Sequence, residues 1–361
     1  MLNGAARSVK IKLNTIRSIL LIQIRPYGDV LLNTPYLPYL RKTLPRARID
    51  FLVQRPYHQL LTDSPYLDEI IVYNKGKGIF YLWEKIKLIK KIARRRYDLI
   101  IDQQNSNTSA QVVLFSGASI RIGALSSRRH RVYNVKAEYG PQRYSASMKF
   151  DMLAPLGIKE QSYRFAYCIQ SDSSAYIDNW LHGQGIKGAR LILISPGSPR
   201  EYKRWKSACY AEFADMISER TGYKVVLIWA PGELGHARVV ADKMHQPSIL
   251  APATTYDQAA ALIKQCRLVV CNDGGLNHLA VALDIPSLAI FGNTNPVSWM
   301  PPERFSHHYF LYNHQADARN DRGFGISPQQ AFEKVISILE LLPGGLLPGD
   351  AAPANTPLKV S

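Results

Sequence analysis

The chain has 361 residues, room for two domains of ordinary size, and 46% of them are hydrophobic, enough for sizeable cores. Its 45 basic and 28 acidic side chains leave a formal charge of +17, which points to an anionic partner: nucleic acid, a membrane surface or an anionic substrate. No apolar run approaches the ~18 residues of a membrane-spanning helix. The stretch Ile19 to Ile22 is too short for a signal-peptide core, and Cys168, Cys209, Cys266 and Cys271 form no CxxC pair and no set with histidines, so a cytoplasmic protein with reduced core thiols is expected.

In chain order, residues 1–16 read as a basic leader of little structure. The apolar patterning then predicts alternating elements: strand Ser18 to Ile24, helix Asp29 to Leu40, strand Ile49 to Val53, helix Leu82 to Arg96, strand Leu99 to Asp102, helix Ala110 to Phe115, strand Ser119 to Ile122 and helix Tyr144 to Leu156. A second series follows: strand Leu191 to Ile194, helix Cys209 to Arg220, strand Val225 to Trp229, helices Gly235 to Met244 and Tyr256 to Cys266, strand Leu268 to Cys271, helix Asn277 to Leu283, strand Ser287 to Phe291 and helix Phe332 to Leu342. Strands alternating with helices argue for α/β architecture with parallel sheets. The expected organisation is two doubly wound, Rossmann-like domains at 17–169 and 189–342, facing each other across a cleft. A connection at 170–188 joins them, and a proline- and glycine-rich tail at 343–361 is expected to be disordered.

One helix stands out by charge. Lys85, Lys87, Lys90, Lys91, Arg94, Arg95 and Arg96 alternate with Leu82, Ile86, Ile89 and Ile92 at helical spacing. Two readings stay open: a core-packed helix with a solvated basic face, or a basic amphipathic helix lying on an anionic membrane.

Four strand ends carry candidate chemistry. After the first strand, Gly28-Asp29 opens a helix, with Asp29 either a helix cap or a carboxylate held as general base. Ser198, Arg200, Lys203 and Arg204 follow the first strand of the second domain, as an ordinary basic loop or a phosphate cradle. Glu233 follows the next strand, as an exposed helix-turn glutamate or an acceptor for ribose hydroxyls. Asn272-Asp273-Gly274-Gly275 is a turn in which glycine permits positive φ and close ligand approach, with His278 near its mouth. A lone histidine there is more often structural than catalytic.

Taken in order, these segments resemble glycosyltransferase family 9, the heptosyltransferase family of lipopolysaccharide core synthesis. The resemblance rests on ILLIQIRPYGDVLLNTPYLPYLRKTLPRARIDFLV (19–53), YDLIIDQQNSNTSA (97–110), RIGAL (121–125), SPGSPREYKRW (195–205), APGE (230–233) and NDGGLNHLAVALDIPSLAIFGNTNPVSW (272–299). It covers most of residues 17–340. It implies a GT-B fold, acceptor on the N-terminal side, nucleotide sugar mainly on the C-terminal side, and inverting transfer of heptose from ADP-heptose to the lipid A inner core at an anionic inner-membrane surface. By the resemblance, Asp29 is the base, Ser198 and Lys203 hold the diphosphate, Glu233 meets the ribose, and Asp273, Gly274 and Gly275 meet sugar and phosphate with His278 close by. No cofactor is expected. The chain has no Asp-x-Asp pair, which fits a mechanism without metal, and the fixed cations suit a leaving diphosphate. Four positions depart from the family pattern and bear on the donor: Gly274 replaces Thr or Ser, Leu276-Asn277 precedes the histidine, Pro199 replaces a second hydroxyl, and Asn295 replaces an acid.

Two other classes fit less. No GxGxxG follows a predicted strand, as a nicotinamide-dependent oxidoreductase would need. A non-catalytic basic module would explain the charge, but no nucleic-acid-binding motif occurs, and nucleic acid is not an expected partner.

Overall fold

The structure is a computed structural model that describes residues 11–76, 78–302, 305, 307–316 and 323–343. The chain divides into two compact units, Met1–Cys168 and Ile169–Ser361. In the first, the elements are β1 (Ser18–Ile22), α1 (Tyr27–Leu31), α2 (Leu37–Thr43), β2 (Arg48–Gln54), β3 (Glu69–Tyr73), α3 (Ile79–Arg95), β4 (Leu99–Asp102), α4 (Asn107–Leu114), β5 (Ile120–Ala124), β6 (Val135–Ala137) and α5 (Ser145–Lys149). A 3-10 segment, Phe150–Leu156, continues from α5. In the second unit they are α6 (Ser171–Gly183), β7 (Leu191–Ser195), α7 (Ser207–Thr221), β8 (Lys224–Leu227), α8 (Leu234–Lys243), β9 (Ser248–Leu250), α9 (Tyr256–Lys264), β10 (Leu268–Asn272), α10 (Gly275–Ala282), β11 (Ser287–Phe291), β12 (His308–Tyr312) and α11 (Pro328–Leu341).

Each unit is built on one parallel sheet, six-stranded among the described residues. The orders are β3-β2-β1-β4-β5-β6 and β9-β8-β7-β10-β11-β12, the same doubly wound pattern twice. The central strands explain it. Ile19–Ile22 of β1 and every residue of β7, β10 and β11 are buried, as strands covered by helices on both faces must be. In each sheet the chain reverses direction of travel beside the first strand, at β1/β4 and at β7/β10. A crevice opens at the carboxyl ends of such strands, where ligands of this architecture bind.

Several sequence expectations need correction. The single helix expected over Asp29 to Leu40 is two short ones, because Pro35 disfavours helical backbone at Thr34 and the chain turns there. The segment expected as a connection, 170–188, holds α6, which belongs to the second unit. α6 buries Ser173, Ile177 and Leu181 at four-residue spacing, and Gln170 N–H donates to Asp257 (3.0 Å) just before it. The outer strands β3, β6, β9 and β12 are not among the expected elements; β6 and β9 are only three residues long, whereas β3 (EIIVY) and β12 (HYFLY) are apolar runs that the expectation passed over. Of the cysteines expected in the core, Cys266 and Cys271 are buried but Cys168 is exposed. The tail at 344–361 and the leader residues 1–10 lie outside the described residues.

The basic helix α3 divides along its length. Leu88 and Ile92 enter the core, with Ile89 packed beside them. Leu82 and Ile86, expected on that same face, are 52% and 43% exposed, alongside Phe80 at 69% and Trp83 at 60%. Among the described residues no helix is long and apolar enough to cross a membrane.

Candidate active site

In the first unit, β1 ends at Ile22 and the chain passes through Gln23, Ile24 and a cis Arg25-Pro26 peptide into α1. Gln104, just past β4, ties this loop: its Oε1 accepts the Ile24 and Arg25 N–H groups, both at 2.8 Å, and Gln23 Nε2 at 3.1 Å. Asn33 Nδ2 donates to the Asp29 carbonyl (2.7 Å) and to Gln23 Oε1 (3.1 Å). Asp29 thus sits in the first turn of α1 on a braced backbone, with its side chain half-buried. The N-cap is Pro26, so the capping reading of Asp29 does not describe it. Among the described residues no hydrogen bond or ion pair reaches the Asp29 carboxylate. A carboxylate at a helix N-terminus, at a strand's carboxyl end and without a protein partner is available to a substrate hydroxyl.

In the second unit, the loop after β7 is fastened by Asn272, the last residue of β10. Asn272 Nδ2 donates to the carbonyls of Pro196 (3.0 Å) and Gly197 (3.1 Å), and its Oδ1 accepts the Trp205 N–H (2.9 Å). Trp205 is 1% exposed and donates its indole N–H to the Gly323 carbonyl (3.0 Å). The loop's far end is therefore anchored in the core, and the residues between are presented at the β7/β10 crevice. Lys203 reaches across to Asp273, Nζ to Oδ2 2.5 Å, with Asp273 almost fully buried. Ser198 is buried and its hydroxyl accepts the Arg200 N–H (3.3 Å).

Glu233 is at the N-cap of α8 and only 8% exposed, against the reading of an exposed helix-turn glutamate. Burial raises its pKa above the ordinary carboxylate value, with the Ala230 backbone and Arg204 acting against that. Its neighbour is Gly197: a Cβ there would meet Glu233 Oε2 at 2.2 Å. Gly292, after β11, abuts the same loop, since a Cβ on it would meet the Tyr202 carbonyl at 2.8 Å.

At the Asn-Asp-Gly-Gly turn, Gly274 is extended (φ 179°) and Gly275 begins α10, so the positive φ expected there does not occur. A Cβ on Gly274 would find nothing nearer than the Asn272 carbonyl at 3.9 Å. What the glycines leave is an open backbone. The N-cap of α10, Gly274, offers no side-chain cap, so the start of the helix is suited to an anion. His278 is buried one turn in, its ring 5.8 Å from that of Trp299. Asn277, the residue before it, bonds inward to the Trp299 carbonyl (3.4 Å) and Ser287 (3.3 Å).

Ser198, Lys203, Glu233, Asp273, Gly274, Gly275 and His278 therefore lie at one sheet end of the second unit, with Lys203 and Asp273 in contact, and Asp29 lies at the corresponding end of the first. Gln23, Gln104, Gly197 and Asn272 hold these residues in place, a bracing role that the motifs containing them did not signal. A further group, Asp284, His307 and His308, has ligand atoms within 4.8 Å of one another. It lies at the amino ends of β11 and β12, the opposite end of the sheet from the candidate site.

The profile of glycosyltransferase family 9 (heptosyltransferase) matches residues 85–322. This chain belongs to glycosyltransferase family 9. Lipopolysaccharide heptosyltransferase 3 of Escherichia coli K12 is 27% identical over 352 residues, covering 92% of this chain and 98% of that relative. The crystal structure of a family 9 glycosyltransferase from Veillonella parvula covers 89% of this chain and 97% of its own (TM-score 0.77, 23% identity). The structure of E. coli ADP-heptose lps heptosyltransferase II covers 89% and 98% (TM-score 0.72, 24% identity). The family 9 chain is thus a glycosyltransferase with two Rossmann-like units, the GT-B make-up.

Proposed function

We propose that this glycosyltransferase moves a heptose from a nucleotide-linked heptose, ADP-heptose, to a lipopolysaccharide core acceptor, in an inverting single displacement with Asp29 as general base. The observation that carries the reading is the Asp29 carboxylate, held on a braced turn and reached by no hydrogen bond or ion pair among the described residues. The names of the relatives, lipopolysaccharide heptosyltransferase 3 and ADP-heptose lps heptosyltransferase II, support the choice of donor and acceptor.

The chemistry follows from charge. An acceptor hydroxyl oxygen bonds to the anomeric carbon as the bond from that carbon to the diphosphate breaks, and the hydroxyl proton passes to Asp29. Charge grows on the leaving diphosphate. Lys203, the Ser198 loop and the uncapped N-terminus of α10 are the donors suited to receive it. Glu233, buried beside Gly197, suits the ribose hydroxyls. No step in this scheme needs a metal.

Asp29→Asn tests it. Transfer from ADP-heptose should fall by at least ~10³-fold while calorimetric donor affinity stays within about twofold. Wild-type turnover in that variant would exclude Asp29 as the base.

The half-exposed start of α3 supports a peripheral position on the cytoplasmic face of the inner membrane. Phe80, Leu82, Trp83 and Ile86 are exposed beside Lys85, Lys87 and Lys90, the combination of apolar anchor and positive charge that an anionic bilayer surface attracts. Glu69 joins Lys91 and Arg95 in ion pairs (3.7 and 2.6 Å), which leaves the charge of the helix's outer face to the other lysines and Arg94.

A further inference from the structure

We infer that Lys149 is a positioning residue for the transfer: its ammonium locks the Gln23–Asn33 pair that holds the Asp29 turn and supplies a positive charge to the Asp29 carboxylate. This rests on the reading of Asp29 as base.

Lys149 closes α5, and nothing in its sequence surroundings marks it. Its Nζ donates to Gln23 Oε1 at 3.0 Å and lies 3.5 Å from the Gln103 carbonyl. Gln103 Nε2 answers by donating to the Lys149 carbonyl at 3.0 Å. The same Gln23 oxygen accepts from Asn33, whose Nδ2 also holds the Asp29 carbonyl. One ammonium therefore ties the ends of β1 and β4 to the backbone that carries the base.

Its partners are all neutral oxygens, and among the described residues it has no ion pair. A half-buried ammonium with no counter-ion in contact still projects its charge onto nearby acids, and that charge can be used. The groups around it leave one use. Asp102 is fully buried and committed, accepting Tyr133 Oη (2.7 Å) and the N–H groups of Gln104 (3.0 Å) and Asn105 (3.1 Å). Burial also raises the Asp102 pKa. Asp151 is held by Arg143 at 2.8 Å. Tyr139, pushed up to about 12 by burial and by Asp102, Asp151 and Asp29, stays neutral. Burial lowers the Lys149 pKa, and the charges that oppose this are Asp29 and Asp102. Asp29 is the uncommitted one.

The test is the pH profile of kcat/KM for the full chain, with ADP-heptose as donor and heptose-deficient lipopolysaccharide as acceptor. In Lys149→Gln the acidic limb should move up by about one pH unit. At neutral pH kcat should fall about tenfold with the donor KM unchanged, and Lys149→Arg should restore the limb. A uniformly slower K149Q with its limb in place would overturn the inference. Should K149Q fail to fold, Lys149→Met removes the charge and keeps the apolar stem, and should shift the limb the same way; an unmoved limb would overturn it equally. Asp29→Asn separates the two readings: wild-type turnover there refutes the base, whereas an inactive D29N beside an unshifted K149Q refutes only the role of Lys149.

Discussion

Lys203 Nζ and Asp273 Oδ2 lie 2.5 Å apart, joining the loop after β7 to the end of β10. Both residues were expected to meet the donor, yet here they meet each other. The pair presets the lysine at the crevice, so a diphosphate has only to share a cation already in place. Lys203→Ala removes that cation and strands a carboxylate that is 3% exposed. Donor affinity measured by calorimetry should fall at least tenfold, about 1.4 kcal/mol. Asp273→Asn leaves instead a lysine that is 19% exposed and can reach water, so its melting temperature should drop less than that of K203A. Unchanged donor affinity in K203A would remove the lysine from the diphosphate site.

Gly197 is required by space. Its φ is not left-handed, so alanine is allowed by the backbone, but the new methyl would sit 2.2 Å from Glu233 Oε2 and 2.9 Å from its Cδ. The glutamate must move. Gly197→Ala should cost about 1–3 kcal/mol of stability by overpacking and weaken ADP binding to the level of Glu233→Ala. Full ADP affinity in G197A would show that the glutamate's position does not matter to the nucleotide.

Glu233 also makes a signed prediction about pH. Burial raises its folded-state pKa, so between the unfolded value near 4.5 and that raised value the folded state holds the proton more tightly. Ionised Glu233 therefore costs stability, and the cost grows as pH rises through this window. Glu233→Gln should melt higher than wild type at pH 7 and match it below pH 4, while binding ADP more weakly. A wild-type excess at pH 7 would mean that Arg204 outweighs the burial.

The paired sheets were legible in the sequence because their central strands are continuous apolar runs, and so were the strand-end positions of Asp29, Ser198 and Asp273. Legibility stopped where partners are distant in sequence. Nothing in Gly274-Gly275 distinguishes a left-handed turn from the extended entry into α10 that the chain adopts. Asn272 stapling Pro196 and Gly197, or Gln104 stapling Ile24 and Arg25, spans some 75 to 80 residues. Such pairs follow from the packing of β10 on β7 and β4 on β1, which no local pattern contains. In α3 the helical period was clear, but which turns would be covered depended on the core beyond them. Leu82 has the right spacing and nothing to pack against.

That uncovered start of α3 is the last point open to test. A groove of about 560 Å³ runs beside Trp83, Ile86, Lys87, Lys90, Lys91, Arg94 and Arg95. Lys87 lies 5.1 Å from the Trp83 ring centroid, which keeps the cation beside the apolar anchor. If this face rests on an anionic bilayer, each basic residue near the surface adds about 1 kcal/mol and the attraction fades with salt. The protein should sediment with phosphatidylglycerol vesicles at low salt and be released at high salt. K85E/K87E/K90E should abolish pelleting, and F80S/W83S should weaken it even at low salt by removing the buried apolar area. Transfer to a soluble core oligosaccharide should be unchanged in both, because α3 precedes β4 and its exposed start takes no part in bracing the Asp29 turn. Failure of the wild type to pellet at low salt would free α3 for some other anionic partner and leave the transferase chemistry as it stands.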